Sequence, residues 1–210
     1  METHRSWAST GRLLPLGAAW VLGLAAAGTA LAEQVSFART EQNVDWTSAG
    51  ISGVGGGSGT IELTGVSGPV QKAFLFWHGI DNGGTGAEYD NATISVNGNS
   101  VTGTAIGDAT TNCWGSGSSR AFRADVTGLV SGNGNSALAR LSDGANHSAN
   151  GAVLVVTFDD GDPSNNRDLA FFEGNDSNRP DGFPGEDDGW NAVLTPISYN
   201  GGIVFAQLLV

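Results

Sequence analysis

Apolar runs of about five to eight residues recur along the chain between clusters of Gly, Asn, Ser and Asp, and the i, i+3, i+4 spacing of an amphipathic helix is nearly absent. The runs predict strands at "VSFAR" (35–39), "GTIELTG" (59–65), "VQKAFLFWHG" (70–79), "ATISVNG" (92–98), "SVTGTAIG" (100–107) and "RAFRADV" (120–126). Further strands are expected at "SALARLS" (136–142), "GAVLVVTFD" (151–159), "DLAFFEG" (168–174), "WNAVLTPI" (190–197) and "GIVFAQLLV" (202–210). Short strands at this spacing, with turn formers between them, point to an all-β sandwich or barrel.

Two runs, "AFLFW" (73–77) and "AVLVVTF" (152–158), are apolar at consecutive positions instead of alternating. That pattern belongs to central strands with both faces covered, so both are expected in mid-sheet. "ISVNGNSV" (94–101) is the clearest hairpin. Asn97 and Gly98 tolerate the positive φ of a type I′ turn, and a two-residue loop there sets Ile94 opposite Val101. "GISGVGGGSGT" (50–60) is expected to be a flexible loop, since so many glycines carry a high backbone entropy. The final strand ends at Val210 with no polar tail, which suggests either a last strand tied into a sheet or a chain that continues further.

Residues 1–32 read as a signal peptide: Arg5 and Arg12 precede the apolar stretch "LLPLGAAWVLGLAAAG", and "ALA" before Glu33 fits cleavage after Ala32. The stretch is shorter than the roughly 20 residues of a membrane span. The reading is therefore a secreted or cell-surface protein without membrane insertion after cleavage, whose residues 33–210 form a single domain. A formal net charge of −12 argues against nucleic acid as a partner, because phosphate neutralisation needs clustered basic side chains. The same charge suits cations or neutral polyols such as carbohydrate. Cys113 is the only cysteine, so no internal disulfide can form.

The run "NATISVNGNSVTGTAIG" (91–107), followed by "RAFRADVTGLVSGNGNSALARL" (120–141) and "GAVLVVTF" (151–158), resembles galactose-binding-like jelly-roll domains. In those domains a "VNG" hairpin precedes a "DVT-x-L-V" segment and a returning central strand. Asp125 has a physical reason to stand there, since its carboxylate can cap the turn "VTGLV" by accepting orphan backbone N–H bonds. The longer stretch from Lys72 to Asn178 is similar to exported bacterial β-sandwich domains of undefined function. The resemblance implies an antiparallel β-sandwich of jelly-roll type, with about 8–11 strands in all. It also implies sugar binding by loops at one end and a structural calcium on an acidic loop.

Two loops offer such chemistry. In "DDGDPSNNRD" (159–168), Asp159, Asp160, Asp162 and Asp168 supply the hard oxygens that calcium takes in groups of six to eight, although the spacing matches no EF-hand. The alternative is a solvated loop built from ordinary turn formers. "GNDSNRPDGFPGEDDGW" (174–190) repeats the acidic theme at the other end of the strand "LAFFEG". Trp114 and Trp190 adjoin polar loops and are candidate platforms for a sugar ring, with Asn112, Arg120, Asp187 and Asp188 as polar partners. The plainer reading is that both indoles fold inward; Trp77 is read as a packing residue whose N–H finds a partner.

Catalysis has little support. There is no G-x-S-x-G and no H-E-x-x-H. Cys113 with His78 or His147 would make an exported thiol open to oxidation. Glu173 with a nearby aspartate would need two carboxyl groups about 5 to 10 Å apart across a cleft. The leading expectation is a non-catalytic carbohydrate-binding domain, with calcium as a candidate cofactor. An adhesive or structural domain binding surface proteins is the alternative, and a glycoside hydrolase or lyase is the third.

Overall fold

The computed structural model describes residues 35–81, 90–109, 118–142, 147–175, 194–195, 197 and 201–209. Its strands are β1 (Ser36–Ser52), β2 (Ser58–Leu63), β3 (Val70–Asp81), β4 (Thr93–Val96), β5 (Asn99–Thr102) and β6 (Thr104–Ala109). They continue with β7 (Ser118–Asp125), β8 (Gly134–Ala139), β9 (His147–Ser148), β10 (Gly151–Phe158) and β11 (Arg167–Glu173). One sheet runs β11-β1-β10-β3-β7-β6, with β9 added beside β3, and the other runs β2-β8-β4-β5. Every pairing is antiparallel. The partners β1–β10, β2–β8, β3–β7 and β4–β5 are those of one long hairpin folded over on itself, which is the jelly-roll topology of two packed Greek keys.

The core between the sheets follows from the strand period of two. Ala73, Leu75 and Trp77 of β3 and Ala152, Leu154 and Val156 of β10 meet Ile61, Leu63, Ile94, Val96 and Leu138 of the small sheet. Trp77 donates its indole N–H to the Asn91 carbonyl at 2.7 Å, so the buried ring leaves no orphan donor. The intervening residues of β3 and β10 form a second cluster on the opposite face, where Phe74 and Val155 pack with Phe171 of β11. Both faces are thus covered, which is why these two strands lack polar alternation.

The cover on the outer face is a bent ribbon. Asp45–Ser52 of the 17-residue β1 pair with β10, whereas its first half pairs with β11. The register with β11 shifts between Phe37 and Arg39 and again between Glu41 and Val44, and Asn43 takes a φ of 53°. Such bulges bend a strand and sharpen its twist. Beyond them the ribbon brings Phe171 against Phe74, edge to face with centroids 5.7 Å apart, and against Phe76, stacked at 6.5 Å.

The hairpin forms as its sequence predicts: Asn97 and Gly98 have φ of 51° and 82°, and Ile94 opposes Val101. The expected strand over 100–107 is in fact two strands in different sheets. The chain crosses at Gly103, where a Cβ would lie 2.5 Å from the Trp77 ring, so only glycine lets the backbone pass against the indole. Residues 50–60, expected as a flexible loop, are ordered. β1 extends to Ser52, Val54 is buried in a single 3₁₀ turn, and the Gly57 carbonyl accepts the Leu141 N–H at 3.0 Å. The last segment also departs from expectation. Residues 203–209 form no strand, and Ile203, Val204 and Phe205 are 79, 63 and 81% exposed. Of the predicted strand at 190–197, only Leu194, Thr195 and Ile197 are described, and none lies in a strand.

A candidate ligand groove beside the ribbon

A groove of about 430 Å³ opens where the chain passes from the small sheet to the large one. Ser100, Val101 and Thr102 of β5 and Thr104 of β6 form one wall; Arg123, Ala124 and Asp125 of β7, Phe74 of β3 and Arg39 of β1 complete it. Register brings these residues together: Thr104 stands opposite Arg123, and Asp125 opposite Phe74. Thr93 and Thr102, paired across β4 and β5, share a hydrogen bond between hydroxyls at 2.9 Å.

The ribbon contributes the electrostatics. Glu173, at the end of β11, accepts a hydrogen bond from Arg39 Nη2 on Oε1 at 3.0 Å and one from Arg123 Nη1 on Oε2. Its side chain is only 6% exposed, and a carboxylate so far from water needs this double pairing. The Arg39 guanidinium lies 3.8 Å from the Phe74 ring centre, an arrangement that favours a desolvated cation. Burial pulls the Arg39 pKa below its ordinary value; Glu173 opposes that shift, and neighbouring Arg123 adds to it. Glu41 sits between Lys72 Nζ at 3.3 Å and Arg39 Nε at 3.8 Å.

Asp125 fills the capping role that its sequence context suggests. Its Oδ1 accepts the Thr127 hydroxyl at 2.6 Å and the Thr127 N–H at 2.9 Å, and these two bonds hold the carboxyl below its usual pKa. Thr127 Oγ1 in turn accepts the Ala73 N–H at 2.9 Å, so the turn is stitched to β3. Past Glu173 the ribbon is latched by Asn175, whose Nδ2 donates to Ser119 Oγ at 3.0 Å. Here a Cβ on Gly107 would meet the Asn175 nitrogen at 2.4 Å. His78 is beneath the same latch: burial pushes its pKa down to about 4, against a hydrogen bond with Asn175.

Five of the sequence candidates, Asn112, Trp114, Asp187, Asp188 and Trp190, lie outside the described residues, as does Cys113. Arg120 is on β7, three residues before Arg123, so the pleat sends the two side chains to opposite faces. Arg120 pairs with Asp108 and does not line the groove.

The loop 159–168, a calcium candidate by its sequence, is built from local hydrogen bonds. Asp159, Asp160 and Asp162 each accept on Oδ1 the N–H two residues on, from Gly161, Asp162 and Ser164, at 2.8–2.9 Å. Asp160 Oδ2 accepts from Asn165 Nδ2 at 2.9 Å, and Asp168 Oδ1 accepts the Asn43 N–H at 2.9 Å across the ribbon. The bonds of Asp159, Asp160 and Asp162 to the N–H two residues on are successive Asx turns, the local bonding for which Asp and Asn are favoured in loops. They lower the pKa of Asp160, chiefly through the Asp162 N–H, and of Asp162, through Ser164. Among the described residues, no group of three or more His, Cys, Asp or Glu is placed to hold a metal ion.

Sequence reasoning passed over Arg39, Arg123, Ser100, Thr102 and Thr104, and weighed Glu173 only as a catalytic carboxylate. The available signal was the alternation in "RAFRADV", where Arg123 falls between the core residues Phe122 and Ala124 and must point out of the sandwich.

Among the described residues, no helix is long and apolar enough to cross a membrane. The strand order defines a jelly-roll β-sandwich, with a polar groove beside the ribbon. No family model, curated protein or solved structure matches the chain.

Proposed function

We propose that this protein is an exported, non-catalytic binding domain whose ligand is carbohydrate, taken in the groove beside the ribbon. The observation that carries the reading is the combination of side chains there: Ser100, Thr102 and Thr104 offer hydroxyls, Arg39 and Arg123 planar donors, and Asp125 an acceptor. Sugars are recognised by such convergent polar groups, and the volume suits one or two rings. Export is supported by the pattern of residues 1–32. A non-catalytic role is supported by the carboxylates: both oxygens of Glu173 serve arginines, and the Thr127 bonds lower the pKa of Asp125, so Asp125 is a poor proton donor. A glycan array, run with and without a chelator, tests the reading. Binding that weakens on Thr102→Val supports it, and no binding in either condition overturns it.

A second reading is favoured by one observation. Ile203, Val204, Phe205, Leu208 and Leu209 are exposed in a single short segment, tied to β1 by Gln207 Nε2 donating to Ser48 Oγ at 3.0 Å. Exposed apolar residues in such density mark protein contacts, which suits a domain that binds surface proteins. Adhesion that falls on Phe205→Asp, with groove binding intact, would favour this reading over the first.

A further inference from the structure

We infer that residues 203–209 form the contact through which the protein pairs with a second copy of itself, the two segments running antiparallel across a two-fold axis. This rests on the reading of that segment as a protein-binding element and names its partner. The first argument is local. In "IVFAQLL" every residue but Ala206 and Gln207 is large and apolar, and none is charged, Pro or Gly, a composition that seeks a strand partner. None of residues 203–209 lies in a strand. A bend at Gly201 and Gly202, with φ of 113° and 125° that other residues avoid, leads the chain into the segment.

Area supplies the second. Ile203, Val204, Phe205, Leu208 and Leu209 are 79, 63, 81, 55 and 38% exposed. Together they leave on the order of 500 Å² of apolar surface open on one copy, the upper end of what a monomer shows. Two copies meeting there bury on the order of 1,000 Å², which is enough for a specific interface. The neighbourhood adds to it: Gln207 Nε2 holds the segment to Ser48, and Trp46, two residues away on β1, shares that face and is only partly buried.

Charge and register select the partner. The chain carries 21 acidic and 9 basic residues, so a basic protein is drawn to the acidic remainder of the surface and an acidic one is repelled by it. A neutral apolar segment gains nothing from either and fits a face of its own kind. The antiparallel register is self-complementary about Ala206: Ile203 meets Leu209, Val204 meets Leu208, and the two small Ala206 side chains meet at the axis, with Phe205 opposite Gln207. Such an isologous contact closes at two copies.

The test is sedimentation velocity of the exported protein over a range of concentrations, with a cysteine cross-link to locate the contact. Dimers are expected, and they should tighten as salt screens the like net charges. Phe205→Asp should weaken them at least about tenfold, and the side chain is too exposed in one copy for its loss to disturb the fold. In a Cys113→Ser background, Ala206→Cys should give a disulfide-linked dimer on mild oxidation, because the pairing sets the two Cα atoms about 4.5–5.5 Å apart. Ala137→Cys, exposed on the small sheet, should not. Monomers at every concentration, with adhesion lost in Phe205→Asp, would overturn the second copy as partner and leave the protein-binding reading standing. Monomers whose adhesion Phe205→Asp leaves unchanged would overturn both. Dimers that persist in Phe205→Asp, or that Ala206→Cys fails to cross-link, would overturn the placement.

Discussion

His78 makes stability depend on pH in a way that can be worked through. In the folded protein, burial holds its pKa at about 4, against 6.5 for the free side chain, and outweighs the Asn175 hydrogen bond that favours the protonated form. Above pH 6.5 the residue is neutral in both folded and unfolded chains and favours neither. As the pH falls below 6.5 the unfolded chain gains a proton that the folded one refuses, and stability declines until the folded form also protonates near pH 4. Each pKa unit corresponds to about 1.4 kcal/mol, so the loss is about 2 kcal/mol at pH 5 and about 3 kcal/mol at pH 4. Carboxylates held below their usual pKa, such as Asp125, lose their own contribution at lower pH still, so the comparison needs a reference that lacks only the imidazole. His78→Gln is that reference, since an amide can keep a hydrogen bond to Asn175 without titrating. Chemical denaturation of both proteins from pH 7 to pH 4 should show the wild type losing about 3 kcal/mol more than the variant. Parallel curves over that range would refute the reasoning, because they would mean that His78 is not buried as a neutral group.

Other perturbations probe the ribbon, the latch and the loop. Phe171→Ala removes the ring packed on Phe74 and Phe76 and should cost about 3 kcal/mol in a denaturation midpoint analysis. Gly107→Ala places a methyl where the Asn175 backbone nitrogen sits and should cost about 2 kcal/mol, with faster amide exchange at the end of β11 than in β10. Chelation with EDTA should leave the melting temperature unchanged, since N–H bonds to Asp159, Asp160 and Asp162 already hold the turns of this loop. A saturable rise with calcium that Asp160→Asn removes would contradict that assignment.

Several features of the fold were legible from the chain because they obey local rules. The consecutive apolar residues of β3 and β10 announced two covered faces, "NG" fixed the hairpin register, and Asp125 was placed by its turn. The full length of β1 was not, because "TEQNVDWTSAGIS" mixes polar residues with a bulged register and shows no clean alternation. Nor was the order of residues 50–60, where one buried side chain, Val54, outweighs the entropy of its glycine neighbours. The groove escaped for a different reason. Its members come from five strands, β1, β3, β5, β6 and β7, and Arg39 joins Arg123 and Asp125 only when the ribbon folds back across the sheet. Acidic and Trp-rich loops drew the eye because their residues cluster in sequence. The arginines cluster only in space.

The most direct test of the central claim is a titration of isotope-labelled protein with the sugar that binds most strongly on the glycan array, followed by amide and guanidinium chemical shifts. The account predicts saturable shifts at Thr102, Thr104 and Arg123 and at the Arg39 side chain, with residues 159–168 unmoved. Shifts confined to residues 159–168, or none at saturating sugar, would contradict it.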